Sequence, residues 1–193
     1  MVIQTACREH ANAIARLIMQ AMNYDCCRYY AGPEHSLEDF ERMMTRLVEA
    51  ENSQYSYKNT HVALDDDGSV AGICVTYDGA RLHELREAFI KAAREFFGRD
   101  YSTIGDETSQ GELYIDSLAV DEKHRGRGIA SELLRVAIAK AADMGIPAGL
   151  LVDKGNPLAE RLYVRTGFKH VGDTVWGGHP MKHLQYHHRS KKT

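Results

Sequence analysis

Cysteine is scarce in this chain of 193 residues, and the four present, Cys7, Cys26, Cys27 and Cys74, form no C-x-x-C pair. That excludes zinc-finger and dithiol redox spacings, and the adjacent Cys26 and Cys27 are poorly placed for a disulfide, so reduced buried thiols and no metal are expected. Apolar runs of membrane-spanning length are also missing, as is the basic-then-apolar layout of a secretion signal. A cytoplasmic protein with no membrane partner is the expectation. Excess positive charge is absent too: the formal net charge is −3, which argues against binding a nucleic acid through its phosphates. Neither GxxxxGK[ST] nor GxGxxG occurs, because Gly126 and Gly128 are followed by Ser131 where a third glycine would fall, so the standard mononucleotide and dinucleotide loops are excluded. What remains is an ordinary globular composition, 44% hydrophobic and 26% charged, in a length suited to one domain, 1–193.

In chain order, Val2–Thr5 reads as a strand, and Ile14, Leu17, Ile18 and Ala21 share one face of a helix from Arg8 to about Met22. Asn23–His35 reads as a loop carrying Tyr24, Tyr29 and Tyr30, either packed on the core or walling an acceptor site. Ser36, with Asp39 three residues on, caps a helix through Leu37, Phe40, Met44, Leu47 and Val48. His61–Leu64 and Val70–Thr76 form a hairpin about an acidic turn ending in Asp67-Gly68. That turn is expected to be solvated. The stripe Leu82, Leu85, Phe89, Ala93, Phe96 marks a helix, and a polar loop from Gly98 to Gly111 follows it. Long ordered loops are usually functional, so this stretch is expected to act as a lid or acceptor selector, with Asp106 and Glu107 suited to a cationic amine.

The most informative stretch is Leu113–Met144. A β-branched apolar run ends in the turn holding Arg125, Gly126, Arg127 and Gly128, and an amphipathic helix begins at once. The first N–H groups of a helix lack intrahelical partners and sit at the positive end of its dipole, so an anion is stabilised there. Glycines let the backbone approach that anion, and arginines add charge-assisted donors. Gly145 and Pro147 end the helix, Ala148–Val152 reads as a strand parallel to the earlier one, and Asn156-Pro157 opens a helix ending at Gly167. Phe168–Val171 and Met181–Tyr186 read as the last strands, and the histidines near the end as a solvated basic tail, 187–193.

Arg125, Gly128 and Ala130 follow the order R-x-x-G-x-A, which resembles the coenzyme A loop of the GNAT superfamily of N-acetyltransferases. Asn156, Ala159, Leu162, Tyr163, Gly167 and Phe168 are similar to a second element of that superfamily, N-x-x-A-x-x-L-Y-x-x-x-G-F. The likeness covers about Glu112–Val171. It implies an α/β fold: a central mixed, mostly antiparallel sheet with a splayed parallel pair of strands, flanked by helices. The helix and loop at 81–111 would be an insertion between the third and fourth strands.

The resemblance also implies roles. Leu118, Ala119 and Val120 would pair with the pantetheine amides of acetyl-CoA, as a strand adds to a sheet edge, and a bulge near Asp116–Leu118 would open that edge. Arg125, Gly126, Arg127, Gly128, Ile129 and Ala130 would hold the pyrophosphate, and Asn156 would contact the pantetheine arm. Asp116, the one carboxylate within an apolar strand, is the candidate base, with Glu112 in reserve; Tyr163 is the candidate acid for the leaving thiolate. The implied function is acetyl transfer to a primary amine, small-molecule or peptide. A non-catalytic acyl-CoA sensor is the alternative, disfavoured by the presence of both a base and an acid. A homodimer through the C-terminal strands is compatible with the sequence.

Overall fold

A computed structural model describes residues 1–188; most of the tail noted above lies outside the described residues. Seven strands form one sheet: β1 (Val2–Thr5), β2 (Thr60–Leu64), β3 (Val70–Asp78), β4 (Leu113–Val120), β5 (Ala148–Asp153), β6 (Lys169–Trp176) and β7 (His179–Tyr186). Their spatial order is β1-β2-β3-β4-β5-β7-β6. Every neighbouring pair is antiparallel except β4 and β5. The helices are α1 (Ala11–Met22), α2 (Tyr24–Ala31), α3 (Leu37–Glu49), α4 (Leu82–Phe97), α5 (Ile129–Asp143) and α6 (Pro157–Thr166). Among the described residues, no helix is long and apolar enough to cross a membrane.

The apolar stripes dictate which face each helix covers. On one face, Ile14 and Ile18 of α1, Phe40 and Met44 of α3, and Phe89 and Ala93 of α4 pack with Val62, Ile73, Val75 and Ala119 of the sheet. On the other, Leu133, Leu134 and Ala137 of α5, with Leu162 and Tyr163 of α6, pack on Cys74, Leu113, Ile115 and Leu150. Burying a side chain such as Phe40, which has no exposed surface, contributes about 1.5–3 kcal/mol. The sheet is therefore a wall between two cores.

The expected elements form with one exception and three extensions, the first being β3, which runs on from Thr76 to Asp78. Residues 24–31, expected as loop, form α2, started by Asn23, whose side chain accepts from the Cys26 N–H at 2.9 Å. Cysteine and tyrosine are indifferent helix formers, so propensity alone conceals this element; packing of Cys27, Tyr30 and Ala31 on the core provides the stabilisation. β6 and β7 run further than expected and meet in a tight turn at Gly177 and Gly178, both at positive φ. The Ser36–Asp39 capping box forms as anticipated.

Candidate active site

The turn after β4 is built by local rules. Asp121 accepts from the Lys123 N–H at 2.9 Å and closes a short 3-10 turn, Glu122–His124. Gly126 and Gly128 then adopt φ of 79° and 80°, the left-handed region where a side chain is strained. Among the described residues, no backbone carbonyl accepts from the N–H groups of Gly126 to Ala130, and the bonds of α5 begin by accepting from Ser131 and Glu132 at the Gly128 carbonyl. Five successive amide donors thus stand free at the positive end of a fifteen-residue helix.

The two arginines of this turn differ in their surroundings. Arg127 donates to both carboxylate oxygens of Asp65, at 3.2 and 3.1 Å, and His124 Nε2 stands 3.0 Å from the same group. The Arg127 hydrogen bonds hold the Asp65 carboxyl well below the usual carboxylate range. Of the acidic turn that was expected to be solvated, Asp66 and Asp67 are exposed while Asp65 is half-buried against Arg127 and His124. Arg125 makes a single looser contact, 3.4 Å to the exposed Glu122, and is available to an incoming anion.

β4 and β5 pair only at Leu113–Ala148 and Tyr114–Gly149. Beyond those two positions the strands diverge, and the β5-facing edge of Leu118, Ala119 and Val120 has no strand partner. On its other side β4 pairs with β3 throughout, except that Thr76 pairs with Ile115 and Val75 with Ser117. Asp116 is the residue left over. This is a bulge at the anticipated place, and it directs the Asp116 carboxylate out of the regular alternation. Further along β3, opposite Val120, Gly72 sits in close approach: a Cβ there would stand 3.0 Å from Ile129 and 3.1 Å from the Ala119 carbonyl.

Across the divergence, Asn156 caps α6 by accepting from the Ala159 N–H at 3.1 Å. Tyr163, on α6, packs edge-on against Phe168 with ring centroids 6.0 Å apart. Burial, with the Cys74 thiol nearby, raises its hydroxyl above the ordinary tyrosine value, so it stays protonated. Cys74 itself, 1% exposed, is pushed up to about 12 by burial and is inert as a thiolate source.

The carboxylates divide into three kinds. Asp116 is half-buried, accepts from Ser117 Oγ at 2.8 Å, and is raised to about 7 by burial and by the neighbouring Glu107. Glu107 is buried and paired with Arg86, and accepts from Tyr77 Oη at 2.9 Å. Arg86 also holds Asp106 at 2.9 Å and donates to the carbonyls of Ile104 and Gly105. The acidic pair of the 98–111 loop thus serves to fasten that loop to α4, a use the sequence reading did not foresee. Glu112 accepts from Thr108 at 2.7 Å and Gln185 at 2.8 Å, with His183 Nε2 also at 2.8 Å. Those hydrogen bonds outweigh burial and lower its pKa.

Three residues near Asp116 escaped the sequence reading. Arg86 left a signal, a charge on the apolar stripe between Leu82 and Phe89 of α4. Gln54 left none, because it lies in an irregular segment; its Nε2 stands 3.4 Å from Glu107 and 3.5 Å from Asp116. Trp176, at the tip of the β6–β7 hairpin, reaches the same neighbourhood from the far edge of the sheet.

Comparison with known proteins bears on the family and the fold. An acetyltransferase of Agrobacterium fabrum is 43% identical over 65 residues, spanning 34% of this chain and 47% of that protein; the chain thus matches about half the length of that curated relative. A crystal structure of an acetyltransferase superposes with a TM-score of 0.79 at 30% identity, covering 96% of this chain and 98% of the other. The fold of an N-acetyltransferase from Staphylococcus aureus Mu50 superposes at 0.81, with 20% identity over 96% of this chain and all of that one. The family model for the Acetyltransferase (GNAT) family matches residues 19–168, most of the chain. The chain belongs to the GNAT family of acetyltransferases.

Proposed function

We propose that the chain transfers the acetyl group of acetyl-CoA to a primary amine by direct attack. The observation that carries this reading is the position of Asp116: a carboxylate raised to about 7, isolated in a bulge where the one parallel strand pair begins to diverge. An alkylammonium of pKa about 10 must lose a proton before it becomes a nucleophile, and a base poised near neutrality suits that step.

The free amide donors of Gly126, Arg127, Gly128, Ile129 and Ala130 fit a pyrophosphate, with Arg125 adding charge. The edge of Leu118, Ala119 and Val120, which no strand covers and where Gln20 reaches the Val120 carbonyl at 3.0 Å, fits an arm bearing amides, and the amide nitrogen of Asn156 is left over from its capping role. The coenzyme supplies a thioester, an acyl group activated toward amines. Asp116 takes the amine proton, directly or through water. Tyr163 donates its hydroxyl toward the departing sulfur; because that hydroxyl holds its proton more tightly than a thiol of pKa about 8.5, its first action is as a hydrogen-bond donor to the developing thiolate. The N–C bond forms, the C–S bond breaks, and an amide and a thiolate result, the thiolate then taking from water the proton that makes it a free thiol. Glu112, with its oxygens taken by three partners, is unsuited to the reserve role.

A panel of amines offered with acetyl-CoA, with free thiol followed over time, tests the reading. Amine-dependent thiol release that Asp116→Asn suppresses is expected; release from no amine at all would refute it.

A further inference from the structure

A small cavity of about 10 Å³ is bounded by Tyr30, Gln54, Tyr55, Phe89, Glu107 and Trp176, and Gln54 connects it to Asp116, 3.5 Å from its amide nitrogen. Its size suits one group as large as a water molecule or an amino nitrogen. Its walls are mostly aromatic: Tyr30 meets Phe89 edge-on at 5.3 Å and Tyr55 meets it at 6.3 Å. The orientation of the Gln54 amide follows from its neighbours. Glu107, ion-paired with Arg86, accepts and does not donate, so the NH2 must face it, as it does, with Asp116 on the same side. The oxygen is thereby turned away from the Glu107 carboxylate, on a residue that lines the cavity. Gln54 Oε1 is buried in a residue only 4% exposed, and it has no hydrogen-bond partner. A buried acceptor without a donor is costly, and a ligand N–H would relieve it.

The surrounding charge narrows the ligand further. Arg86 is the cation bounding this cavity, and its guanidinium is already engaged by Asp106, Glu107 and two carbonyls. A ligand carboxylate close to the amine would therefore face Glu107 and Asp116 with no free cation. A branch on the carbon bearing the nitrogen would meet the aromatic walls.

We propose that Gln54 positions the acceptor, receiving a hydrogen bond from the nitrogen of an amine at the end of an unbranched alkyl chain, in a pocket closed by the indole of Trp176. This rests on the reading of Asp116 as base. The shared chemistry, a terminal CH2–NH2 group, could come from a free alkylamine or from a lysine side chain. α-Amino acids and amines branched at the α carbon are excluded.

Trp176 is the chain's one tryptophan, so intrinsic tryptophan fluorescence reports this pocket alone. With free coenzyme A present, n-butylamine, Nα-acetyl-lysine amide, sec-butylamine and alanine would each be titrated while fluorescence is followed, and thiol release would be measured in parallel with acetyl-CoA. Response to n-butylamine and not to sec-butylamine or alanine is expected, and response to the lysine derivative distinguishes a peptide source from a free amine. Gln54→Leu should raise the amine concentration for half-response and the amine KM about tenfold or more, the equivalent of losing one buried hydrogen bond, with the KM for acetyl-CoA unchanged. Equal responses to the straight and branched amines in the native protein, or thiol release with an unaltered amine KM in Gln54→Leu, would overturn the pocket. Fluorescence response without thiol release from any amine would leave the pocket standing as an amine site and refute acetyl transfer instead.

Discussion

Arg127 grips Asp65 with two nitrogen–oxygen contacts, at 3.2 and 3.1 Å, so the turn after β4 is braced by the hairpin between β2 and β3. A guanidinium held in this way shapes the loop more than it contacts a ligand. Arg125→Ala should therefore weaken acetyl-CoA binding about tenfold, as expected for loss of a charge-assisted hydrogen bond. Arg127→Ala and Asp65→Asn should each have a smaller effect, and the double variant should be no worse than either alone. Calorimetric Kd values checked as a double-mutant cycle decide this; strict additivity would show that Arg127 and Asp65 act separately.

Asp116, raised to about 7, should give kcat/KM a limb that rises with pH and levels off above about 7, as the carboxyl loses its proton. Asp116→Asn should remove that limb and lower the rate at neutral pH by about 10²- to 10⁴-fold. The same shift has a stability consequence. A carboxyl that binds its proton more tightly when folded contributes stability fully below its unfolded value, and that contribution is lost as pH rises through about 7. The unfolding temperature should accordingly fall between about pH 4 and pH 7 in the native protein and fall less in Asp116→Asn.

Tyr163→Phe keeps the ring packed on Phe168 and removes only the hydroxyl. Turnover should drop about 10- to 100-fold, with the acetyl-CoA KM and the unfolding temperature close to native. Thioesters with more acidic leaving thiols should narrow the deficit, because a thiolate that is already stable needs less help. A constant deficit across such a series would reduce Tyr163 to packing.

Gly149 allows Glu112 to sit where it does: a Cβ on Gly149 would lie 1.8 Å from Glu112 Oε2. Gly149→Ala must displace a buried carboxylate with three partners, and should destabilise the protein by about 3 kcal/mol or more. Because the folded pKa of Glu112 is lowered, its own contribution is present above the unfolded value and is lost as pH falls through the folded one. Glu112→Gln should flatten the acid side of the stability profile without moving the neutral limb of the rate profile. A change in that limb would return Glu112 to the chemistry.

The element from β4 through α5 was legible because each of its signals is local: an apolar strand, glycines that only a left-handed turn requires, and a helix of clean period. Asp116 was legible as a carboxylate out of pattern, and the bulge that isolates it was anticipated at the right place. α2 was hidden because its stabilisation comes from tertiary packing of Cys27 and Tyr30, which propensity does not register. Gln54 and Trp176 were hidden for a different reason. The first lies in irregular backbone and the second arrives from a hairpin at the opposite edge of the sheet, so their meeting is a property of topology and not of spacing. The acidic pair Asp106 and Glu107 was noticed, but its partner Arg86 lies twenty residues earlier on another element, and charge alone pointed outward.

The sheet joins its two halves at a very narrow seam. β1 to β4 form one antiparallel block and β5 to β7 another, linked by two paired positions and by Glu112, which reaches over Gly149 to His183 and Gln185 on β7. Mechanically this is a pivot with a clasp beside it. A molecule wedged between the diverging strands would exert its leverage there, so amide hydrogen exchange at Leu113, Tyr114, Ala148 and Gly149 should respond to coenzyme A before any other part of the sheet does.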